Sequence, residues 1–401
     1  MSVEPPPDLQ PDDVFGPLTR VDVDPLPWLA THREAGPVAR LDLFGNPVWL
    51  VTRHADVRAV LGDTATFSND FAHLAAADDD GDLGLSDPGG LGFRDPPDHT
   101  RLRRMLAPAF TARSIAALEP AVRRVVDECL DAVAAAGPGV DLVSVFADQV
   151  PALVIGELLG VPRADQVDFA ALAAGRFDLL QSIVAPLDSA AQSLVLLRDL
   201  VARERKDPGT GLLGDLVREH GDTVDDEELA GLVDGLLVGG HETTASMLAL
   251  STLLLLRDPA AADRLRRDPA AVQGAVEELL RHLTVVQVAF PRFARADTVL
   301  AGQPVAAGEL VLCSLAGADR DPRWADDLEE LDLSRPALQH LAFGHGIHHC
   351  LGAPLARLEL QVALPALLAR FPDLRVADPA WQPAFRQRSI VFGLESLPVS
   401  W

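Results

Sequence analysis

Tyrosine is absent from the sequence and Lys206 is the only lysine, so arginine carries nearly all of the positive charge. The 34 basic residues are outnumbered by 59 acidic ones, which gives a formal net charge of −25 at pH 7. Proteins that bind nucleic acid neutralise phosphates with a basic face. The charge balance therefore argues against a nucleic-acid partner, although it leaves room for local basic patches.

Cysteine is scarce as well. The three cysteines, Cys129, Cys313 and Cys350, are odd in number and far apart in the chain. Such a pattern does not indicate a disulfide framework and is typical of a protein that works in a reducing compartment. The sequence therefore predicts a cytoplasmic location.

Membrane and export signals are also missing. The N-terminus, Met1 to Asp13, is proline-rich and acidic and has neither the basic nor the apolar region of a signal peptide. The uncharged run Thr243 to Leu256 is shorter than the roughly 20 residues that a membrane-spanning helix needs. We expect no membrane association, a flexible segment over residues 1–13, and one domain over residues 14–401.

Apolar residues make up 48% of the chain and charged residues 23%, which is typical of a globular protein. Strand patterns occupy Val38 to Thr52, with a turn expected at Asn46-Pro47, and Val285 to Leu312. Helical periodicity dominates the rest, in particular Ser114 to Ala136, Gln192 to Arg205, Asp225 to Arg257, Pro269 to His282 and Pro354 to Arg370. These patterns predict a mainly α domain with a small β-sheet region.

The most informative segment runs from Phe343 to Pro354 and reads FGHGIHHCLGAP. Its glycines allow the backbone to pass close to a flat ligand. Apolar residues at helical spacing follow at once, so Cys350 lies just before a helix N-terminus, where free N–H groups favour a thiolate. A thiolate held in this way is suited to bind haem iron.

Three other interpretations of a cysteine compete with that one. A free cysteine is most often a small buried apolar residue, and Cys129, within a helix, and Cys313, within a strand, fit this description. A zinc site can be drawn from Cys350 and the histidines of the loop, His345, His348 and His349, but structural zinc sites usually need a second ligand cluster. A cysteine nucleophile would need a histidine partner elsewhere.

The cysteine segment resembles the haem-binding loop of cytochromes P450, F-x-x-G-x-x-x-C-x-G, and Phe343, Gly346, Cys350 and Gly352 match its fixed positions. The resemblance implies that Cys350 is the axial metal ligand, that Phe343 packs beside its sulfur, and that His348 contacts a haem propionate. It also places Gly344, Gly352 and Ala356 among the residues that bind the cofactor.

Glu278 and Arg281 are three residues apart on a predicted helix, so they can pair on one face. Alone, such a pair is usually exposed and contributes little. In the P450 family an E-x-x-R pair is buried and completed by a later arginine, and Arg335 stands at that place. The resemblance therefore implies a structural triad.

The predicted long helix contains Gly239-Gly240-His241-Glu242-Thr243-Thr244. Interior glycines cost about 1 kcal/mol each relative to alanine, and either close packing or space for a ligand would explain them. The segment resembles the family's oxygen-activation motif, A/G-G-x-E/D-T. The resemblance implies that Gly239 and Gly240 line the haem, that Thr243 hydrogen-bonds dioxygen, and that Glu242 relays protons.

His99 and Arg103 are four residues apart and share one helical face, which suits an anion, although a basic surface stripe is the ordinary reading. The family has H-x-x-x-R at this distance from the N-terminus, where both side chains bind propionates. Arg292 resembles the family's strand arginine that binds the other propionate. Donors of this kind are chemically suited to two carboxylates.

Together the motifs identify residues 14–401 as a member of the cytochrome P450 family, with haem b buried between a long central helix and the cysteine loop and its helix. The resemblance implies a monooxygenase that uses dioxygen to hydroxylate or epoxidise a hydrophobic small molecule in natural-product tailoring. Electrons would come from a ferredoxin and an NAD(P)H ferredoxin reductase that dock near Arg101, Arg104 and Arg357. Peroxide-driven or redox-neutral chemistry and a haem sensor without enzymatic activity remain open as alternatives.

The expected substrate pocket is mainly apolar. Its predicted wall consists of Phe71, Phe93, Phe177, Leu180, Leu236, Gly239, Val286, Val288, Ala289, Ile390 and Val391.

Overall fold

The computed structural model describes residues 15–25, 27–43, 46–70, 90–163 and 185–401. Segment 1–13, predicted to be flexible, lies outside these ranges. The helices of the described residues are α1 Pro27–Ala35, α2 His54–Gly62, α3 Asp98–Leu106, α4 Ala112–Ala136, α5 Gln149–Leu159, α6 Ala185–Lys206, α7 Leu212–His220, α8 Asp226–Arg257, α9 Pro259–Arg267, α10 Pro269–Leu283, α11 Leu315–Ala318 and α12 Ala353–Arg370. The predicted mainly α fold is confirmed, and the five helices named from periodicity all form.

The strands are short and contribute small sheets. They are β1 Arg20–Val21, β2 Asp24–Pro25, β3 Val38–Leu43, β4 Asn46–Val51, β5 Phe67–Ser68, β6 Val140–Asp141, β7 Arg292–Ala294, β8 Thr298–Leu300, β9 Gln303–Val305, β10 Leu310–Cys313, β11 Arg375–Val376, β12 Phe385–Arg386, β13 Gly393–Leu394 and β14 Pro398–Ser400. The largest sheet has the order β3-β4-β10-β7-β5, in which only β4 and β10 run parallel.

The turn expected at Asn46-Pro47 is wrong by a small shift. Asn46 pairs with Leu43, and Pro47 pairs with Asp42, so both residues belong to the second strand of the hairpin. Proline is tolerated there because it lies near the start of a strand.

Helix α8 is the centre of the molecule. Asp225 caps its N-terminus by accepting a hydrogen bond from the Glu228 amide at 2.8 Å. Three acidic residues follow in the first turn, where the helix dipole stabilises their negative charge. Its 32 residues span about 48 Å at 1.5 Å per residue. The helix contacts α5, α6, α10 and α12, so it crosses the whole core.

The main hydrophobic core lies between α4, α5, α8 and α12, and Cys129 of α4 is part of it. Cys313 of β10 belongs to a second buried cluster. Both thiols are buried, as predicted for cysteines that serve packing.

Across the described ranges, no individual helix has the length and apolar character to span a membrane. By length and composition alone, the pair formed by α8 and α9 would qualify, but its axes meet at 113°.

Candidate active site

The cysteine loop is held in shape by its own backbone. A short 3₁₀ turn, Gly346–His348, precedes Cys350, and the Cys350 amide donates a hydrogen bond to the Phe343 carbonyl at 2.9 Å. Gly346 has a φ of +74°, and a Cβ there would lie 2.4 Å from the Leu61 carbonyl oxygen of α2. Only glycine fits this position because of both the backbone angle and the contact.

The Cys350 side chain is accessible, unlike those of the other two cysteines. Burial by surrounding protein atoms raises the pKa of its thiol, whereas the Gly352 and Ala353 amides and the guanidinium groups of Arg103 and Arg357 act in the opposite direction. These amides lie at the start of α12, where the helix dipole favours negative charge. Because the net effect is a raised pKa, the surrounding groups alone do not produce the thiolate expected from the sequence, and a bound metal cation would be needed to displace the proton.

The four residues predicted to bind propionates lie together beside the loop. The rings of His99 and His348 are 4.3 Å apart, and Arg103 donates a hydrogen bond to the His349 carbonyl at 2.8 Å. Burial, followed by the charges of Arg292, His99 and Arg103, lowers the pKa of His348 to about 3. The ring contact between His99 and His348, and the bond from Arg103 to the residue after His348, bring these side chains together.

This group fits an anionic cofactor. Both ring nitrogens of His99 and Nε2 of His348 are buried without a hydrogen-bond partner among the described residues. Arg292 is 3% exposed and uses one N–H on the Phe290 carbonyl at 2.6 Å. Buried donors of this kind are costly unless a ligand accepts their hydrogen bonds, and carboxylates such as the haem propionates are suitable acceptors.

The zinc interpretation of the loop finds no support in the geometry. Within the ranges that the structure describes, no three His, Cys, Asp or Glu side chains converge as metal ligands.

An accessible stripe runs along the middle of the otherwise buried helix α8. Leu236, Gly239 and Thr243 are not fully buried, and their spacing of three and four residues places them on one face. A Cβ at Gly239 would meet open space, whereas one at Gly240 would lie 3.2 Å from Ile155 of α5. The two glycines therefore differ: Gly239 borders the cleft, and Gly240 packs against a neighbouring helix.

Glu242 and Thr243 have different partners. The Thr243 hydroxyl donates to the Gly239 carbonyl at 2.7 Å, within the helix. Glu242 is buried, and its Oε1 accepts a hydrogen bond from Arg386 of β12 at 2.5 Å. Sequence reasoning missed Arg386 because it lies 144 residues away in a strand of two residues.

Glu278, Arg281 and Arg335 form one buried network, the arrangement implied by the resemblance. Arg281 donates two hydrogen bonds to the Glu278 carboxylate at 2.7 and 2.8 Å, and Arg335 donates a third at 3.2 Å. The remaining Arg281 N–H groups bind the carbonyls of residues 319, 328 and 330. The network thereby anchors the chain that leads into the cysteine loop.

A second ion-pair cluster on the cysteine side was not anticipated from the sequence. Arg357 donates to both oxygens of Glu277 at 2.6 and 2.9 Å and lies 4.5 Å from the centre of the Phe343 ring. Burial alone would raise the pKa of Glu277, but hydrogen bonds from His340 and Arg357 lower it to about 2. Arg357 thus supports the Phe343 ring at the start of the cysteine loop.

Part of the predicted substrate wall also comes together. Val286 faces Val391 across an antiparallel bridge, and Val288 faces Ser314 in another. Val286, Ala289 and Ile390 are partly buried at the edges of apolar clusters. Phe93 contacts Phe290, with ring centres 4.7 Å apart. Phe71, Phe177 and Leu180 lie outside the described residues.

The remaining predicted cofactor contacts are close to the thiol. Gly352 lies next to Cys350, where a Cβ would be 3.9 Å from its sulfur. Gly344 has a φ of +70° and open space around its Cα. Ala356 lies in the first turn of α12 and donates to the Gly352 carbonyl at 3.0 Å.

Comparison with known proteins agrees with this geometry. The family model for cytochrome P450 matches residues 6–146 and 159–391. Cytochrome P450 165B3 from Amycolatopsis orientalis is 43% identical over 359 residues, which cover 88% of this chain and 89% of that protein. The mycinamicin IV hydroxylase/epoxidase from Micromonospora griseorubida is 41% identical over 374 residues, which cover 92% of this chain and 94% of that protein.

Solved structures show the same fold. OxyE, a cytochrome P450 involved in teicoplanin biosynthesis, superposes with a TM-score of 0.85 and 40% identity over 96% of this chain and 99% of its own. Two independent kinds of similarity therefore extend over nearly the whole length of the sequence. The chain belongs to the cytochrome P450 family, and it is an oxidoreductase of the monooxygenase type that uses haem iron and dioxygen.

Proposed function

We propose that this protein inserts one atom of dioxygen into a hydrophobic small molecule, by hydroxylation or epoxidation, as a tailoring step in natural-product biosynthesis. The observation that carries the proposal is the accessible thiol of Cys350 beside a group of buried donors without partners. The similar mycinamicin hydroxylase/epoxidase and OxyE act in the biosynthesis of natural products, which supports the substrate class.

The cofactor would be haem b, held without covalent bonds, because the sequence has no C-x-x-C-H attachment motif. Cys350 would bind the haem iron through its sulfur, and His99, Arg103, Arg292 and His348 would hold the propionates. Bound haem supplies the oxidising chemistry that no amino-acid side chain provides. The protein's contribution is to position the ligand thiolate, neutralise the propionates and control access.

Thr243 and Glu242 would handle dioxygen and protons at the accessible stripe of α8. The Thr243 hydroxyl lies on the same side of the helix as Gly239. Its orientation is fixed by the hydrogen bond that it donates to the Gly239 carbonyl. In this orientation its oxygen can accept a hydrogen bond in the cleft, and it can donate one there only if the hydroxyl turns away from the carbonyl. Glu242, which is buried next to it, can carry a proton between solvent and the cleft.

The substrate would lie against apolar side chains. Leu236 and Gly239 line α8, and the bridge between Val286 and Val391 joins two separate segments into one wall. Ala289, Ile390 and Phe93, which are partly exposed, extend this surface. Val288 and Val391, predicted to face the substrate, are 4% and 1% exposed and belong to the packed core instead. A hydrophobic ligand gains stability there in proportion to its buried apolar area.

Electrons would come from a ferredoxin and its NAD(P)H-dependent reductase, and the enzyme would work in the cytoplasm. Arg101 and Arg357 are partly exposed while paired with Glu228 and Glu277, and Arg104 is exposed. Of the three, Arg104 would offer its charge to an acidic partner directly, whereas Arg101 and Arg357 would have to exchange the carboxylates that they already bind. Reduction rates should fall as ionic strength rises; rates that do not depend on salt would argue against this docking mode.

The function is tested with haem-loaded protein, the redox partners and isotopically labelled dioxygen. One labelled oxygen atom in the product, together with strict dependence on NAD(P)H, is expected. Unlabelled product, or product formed without NAD(P)H, would instead indicate peroxide-driven or redox-neutral chemistry. Product that never forms across a library of compounds that shift the haem spectrum would favour a sensor.

Thr243→Val should divert electrons from product to peroxide, because the hydroxyl is lost while the side-chain shape is kept. We expect the yield of product per NAD(P)H to fall about tenfold or more. Thr252→Val is the matched control, since Thr252 makes the same bond to the carbonyl four residues earlier, at 2.8 Å, but is buried away from the stripe. Equal coupling in both variants would remove Thr243 from the mechanism.

A further inference from the structure

The side chain of Arg386 connects β12 to the middle of the central helix. Its Nη1 donates to Glu242 Oε1 at 2.5 Å, and its Nη2 donates to Ser246 Oγ at 2.6 Å. The Glu242 side chain is 4% exposed and that of Arg386 is 29% exposed. The ion pair therefore joins a buried carboxylate to a group that reaches solvent.

The pair holds Glu242 on a particular face of α8. Glu242 and Ser246 are four residues apart and share one face, which is the face that Arg386 covers. Gly239 and Thr243 are also four residues apart, on a face rotated by about 100°. The carboxylate is thus fixed beside the cleft face that carries Thr243, but not on it.

Gly393 makes this reach possible. Arg386 and Gly393 are direct partners in the antiparallel pair of β12 and β13. A Cβ at Gly393 would lie 2.0 Å from Nη2 of Arg386 and 2.5 Å from its Nε. The guanidinium therefore crosses the position where any other residue would have a side chain.

Two other titratable groups lie near Arg386. Burial raises the pKa of Asp148 to about 6, and the charge of Arg386 opposes that rise. The Asp148 carbonyl is 3.1 Å from Nε2 of His241. Burial lowers the pKa of His241, and the charge of Arg386 also lowers it. Arg386 is hence the cation that faces two acids and a histidine, and any test must separate Glu242 from Asp148.

We propose that Arg386 is a positioning residue for proton delivery, which holds Glu242 ionised and in place between solvent and Thr243. This inference rests on the proposed function of Glu242 as the proton carrier. A buried carboxylate that loses its cation becomes neutral at ordinary pH. A Glu242 without its cation holds its proton more tightly, so it passes that proton on toward Thr243 more slowly although both residues are present.

The first test compares Arg386→Met with the wild-type, haem-loaded enzyme across a pH series. Product per NAD(P)H should fall by about tenfold near neutral pH and recover as the pH rises, because an unpaired Glu242 ionises only above its raised pKa. Arg386→Lys should restore part of the yield. A yield equal to that of the wild type at every pH would overturn the proposal.

Gly393→Ala tests the position of the Arg386 guanidinium without removing its charge. It also provides a second test of the proposal if Arg386→Met does not fold. The added methyl group displaces the guanidinium from Glu242, so coupling should fall in the same direction as in Arg386→Met. Gly274→Ala is the matched control, because a Cβ at Gly274 of α10 meets no atom within 4 Å. If Gly393→Ala behaves like Gly274→Ala, Arg386 does not act through its position.

An infrared measurement reads the carboxyl group directly, without turnover. The haem-loaded Arg386→Met variant should show the absorption of a protonated carboxyl group that the wild type lacks at the same pH. That band should disappear in the double variant Arg386→Met with Glu242→Gln, which excludes Asp148 as its source. Persistence of the band in the double variant would assign it to Asp148 and refute the role of Arg386 toward Glu242.

The single variant Glu242→Gln separates the two proposals. Normal coupling in Glu242→Gln would show that the proton carrier itself was wrongly assigned. Impaired coupling in Glu242→Gln, with wild-type behaviour in Arg386→Met, would leave the carrier intact and eliminate only the role of Arg386.

Discussion

Two groups of polar side chains lie near the cysteine loop, and they differ in how fully their hydrogen bonds are used. In the closed network, formed by Glu278, Arg281 and Arg335, every N–H of the Arg281 guanidinium has an acceptor within the protein. In the open group, formed by His99, Arg103, Arg292 and His348, three buried ring nitrogens have no partner among the described residues.

The contrast separates structure from binding. Burying charge is tolerated when the partners are complete, so the closed network has no capacity left for a ligand. The open group keeps positive charge and unused donors in a place where isolated polar atoms are costly. Such a cost is offset when an anion binds, and haem propionates meet that requirement.

The largest expected effect concerns the thiol next to the open group. Cys350→Ala should abolish the red-shifted absorption of the ferrous carbon monoxide complex and all product formation, since no other thiol is accessible among the described residues. Cys129→Ala, which alters a buried cysteine of α4, should keep the band. A thiolate-type spectrum in Cys350→Ala would refute the ligand assignment.

Breaking the closed network should cost stability rather than cofactor chemistry. Glu278→Gln leaves Arg281, whose side chain is 1% exposed, without its counter-ion, and should reduce the free energy of unfolding by about 3–5 kcal/mol. Denaturant unfolding measures the loss. Glu119→Gln is the control, because its exposed pair with Arg123 contributes at most about 0.5 kcal/mol. Similar losses in both variants would mean that the network is not effectively buried.

Asp319, whose backbone carbonyl accepts a hydrogen bond from Arg281, adds a pH dependence beside the closed network. Burial raises the pKa of Asp319 to about 6 in the folded protein, from its ordinary value of 3.8. Because the folded pKa is the higher one, its contribution is fully present below pH 3.8 and is lost as the pH rises through about 6. Asp319→Asn should therefore gain on the order of 1–3 kcal/mol relative to wild type at pH 8, with the difference vanishing at pH 4. A difference that is constant with pH would contradict the raised pKa.

The smallest expected effect concerns the open group and tests whether it binds the cofactor. His99→Leu removes donors without a partner in the protein, so the unfolding of the haem-free protein should change little. Haem affinity should fall by about tenfold, which corresponds to about 1.4 kcal/mol. Haem transfer to apomyoglobin measures the affinity; unchanged retention would show that His99 does not meet the cofactor.

The sequence was most informative where the chemistry is local. The cysteine loop, the Glu278–Arg281 spacing and the glycines of α8 could all be recognised from neighbouring residues, because helical and loop geometry brings them together. It was least informative where a side chain arrives from a distant short strand. Arg386 depends on the register of β12 against Gly393, and two-residue strands leave no periodic pattern.

Pairs of charges also escaped prediction when their partners came from different elements. Glu277 pairs with both Arg357 and His340. Only the folded chain shows that Arg357 also packs over the Phe343 ring. Gly239 and Gly240 of α8 could not be told apart in the sequence, because only the fold shows that Gly239 faces the cleft and Gly240 faces Ile155.

The fixed geometry of the cysteine loop has a consequence for the thermodynamics of cofactor uptake. A hydrogen bond from the Cys350 amide to the Phe343 carbonyl closes the loop, and Gly346 packs against α2. Arg103 donates a further hydrogen bond to the His349 carbonyl. A segment already ordered loses little conformational entropy when it meets its ligand. Haem association should consequently proceed with a small entropic penalty from this loop, so that most of the contact energy appears as affinity.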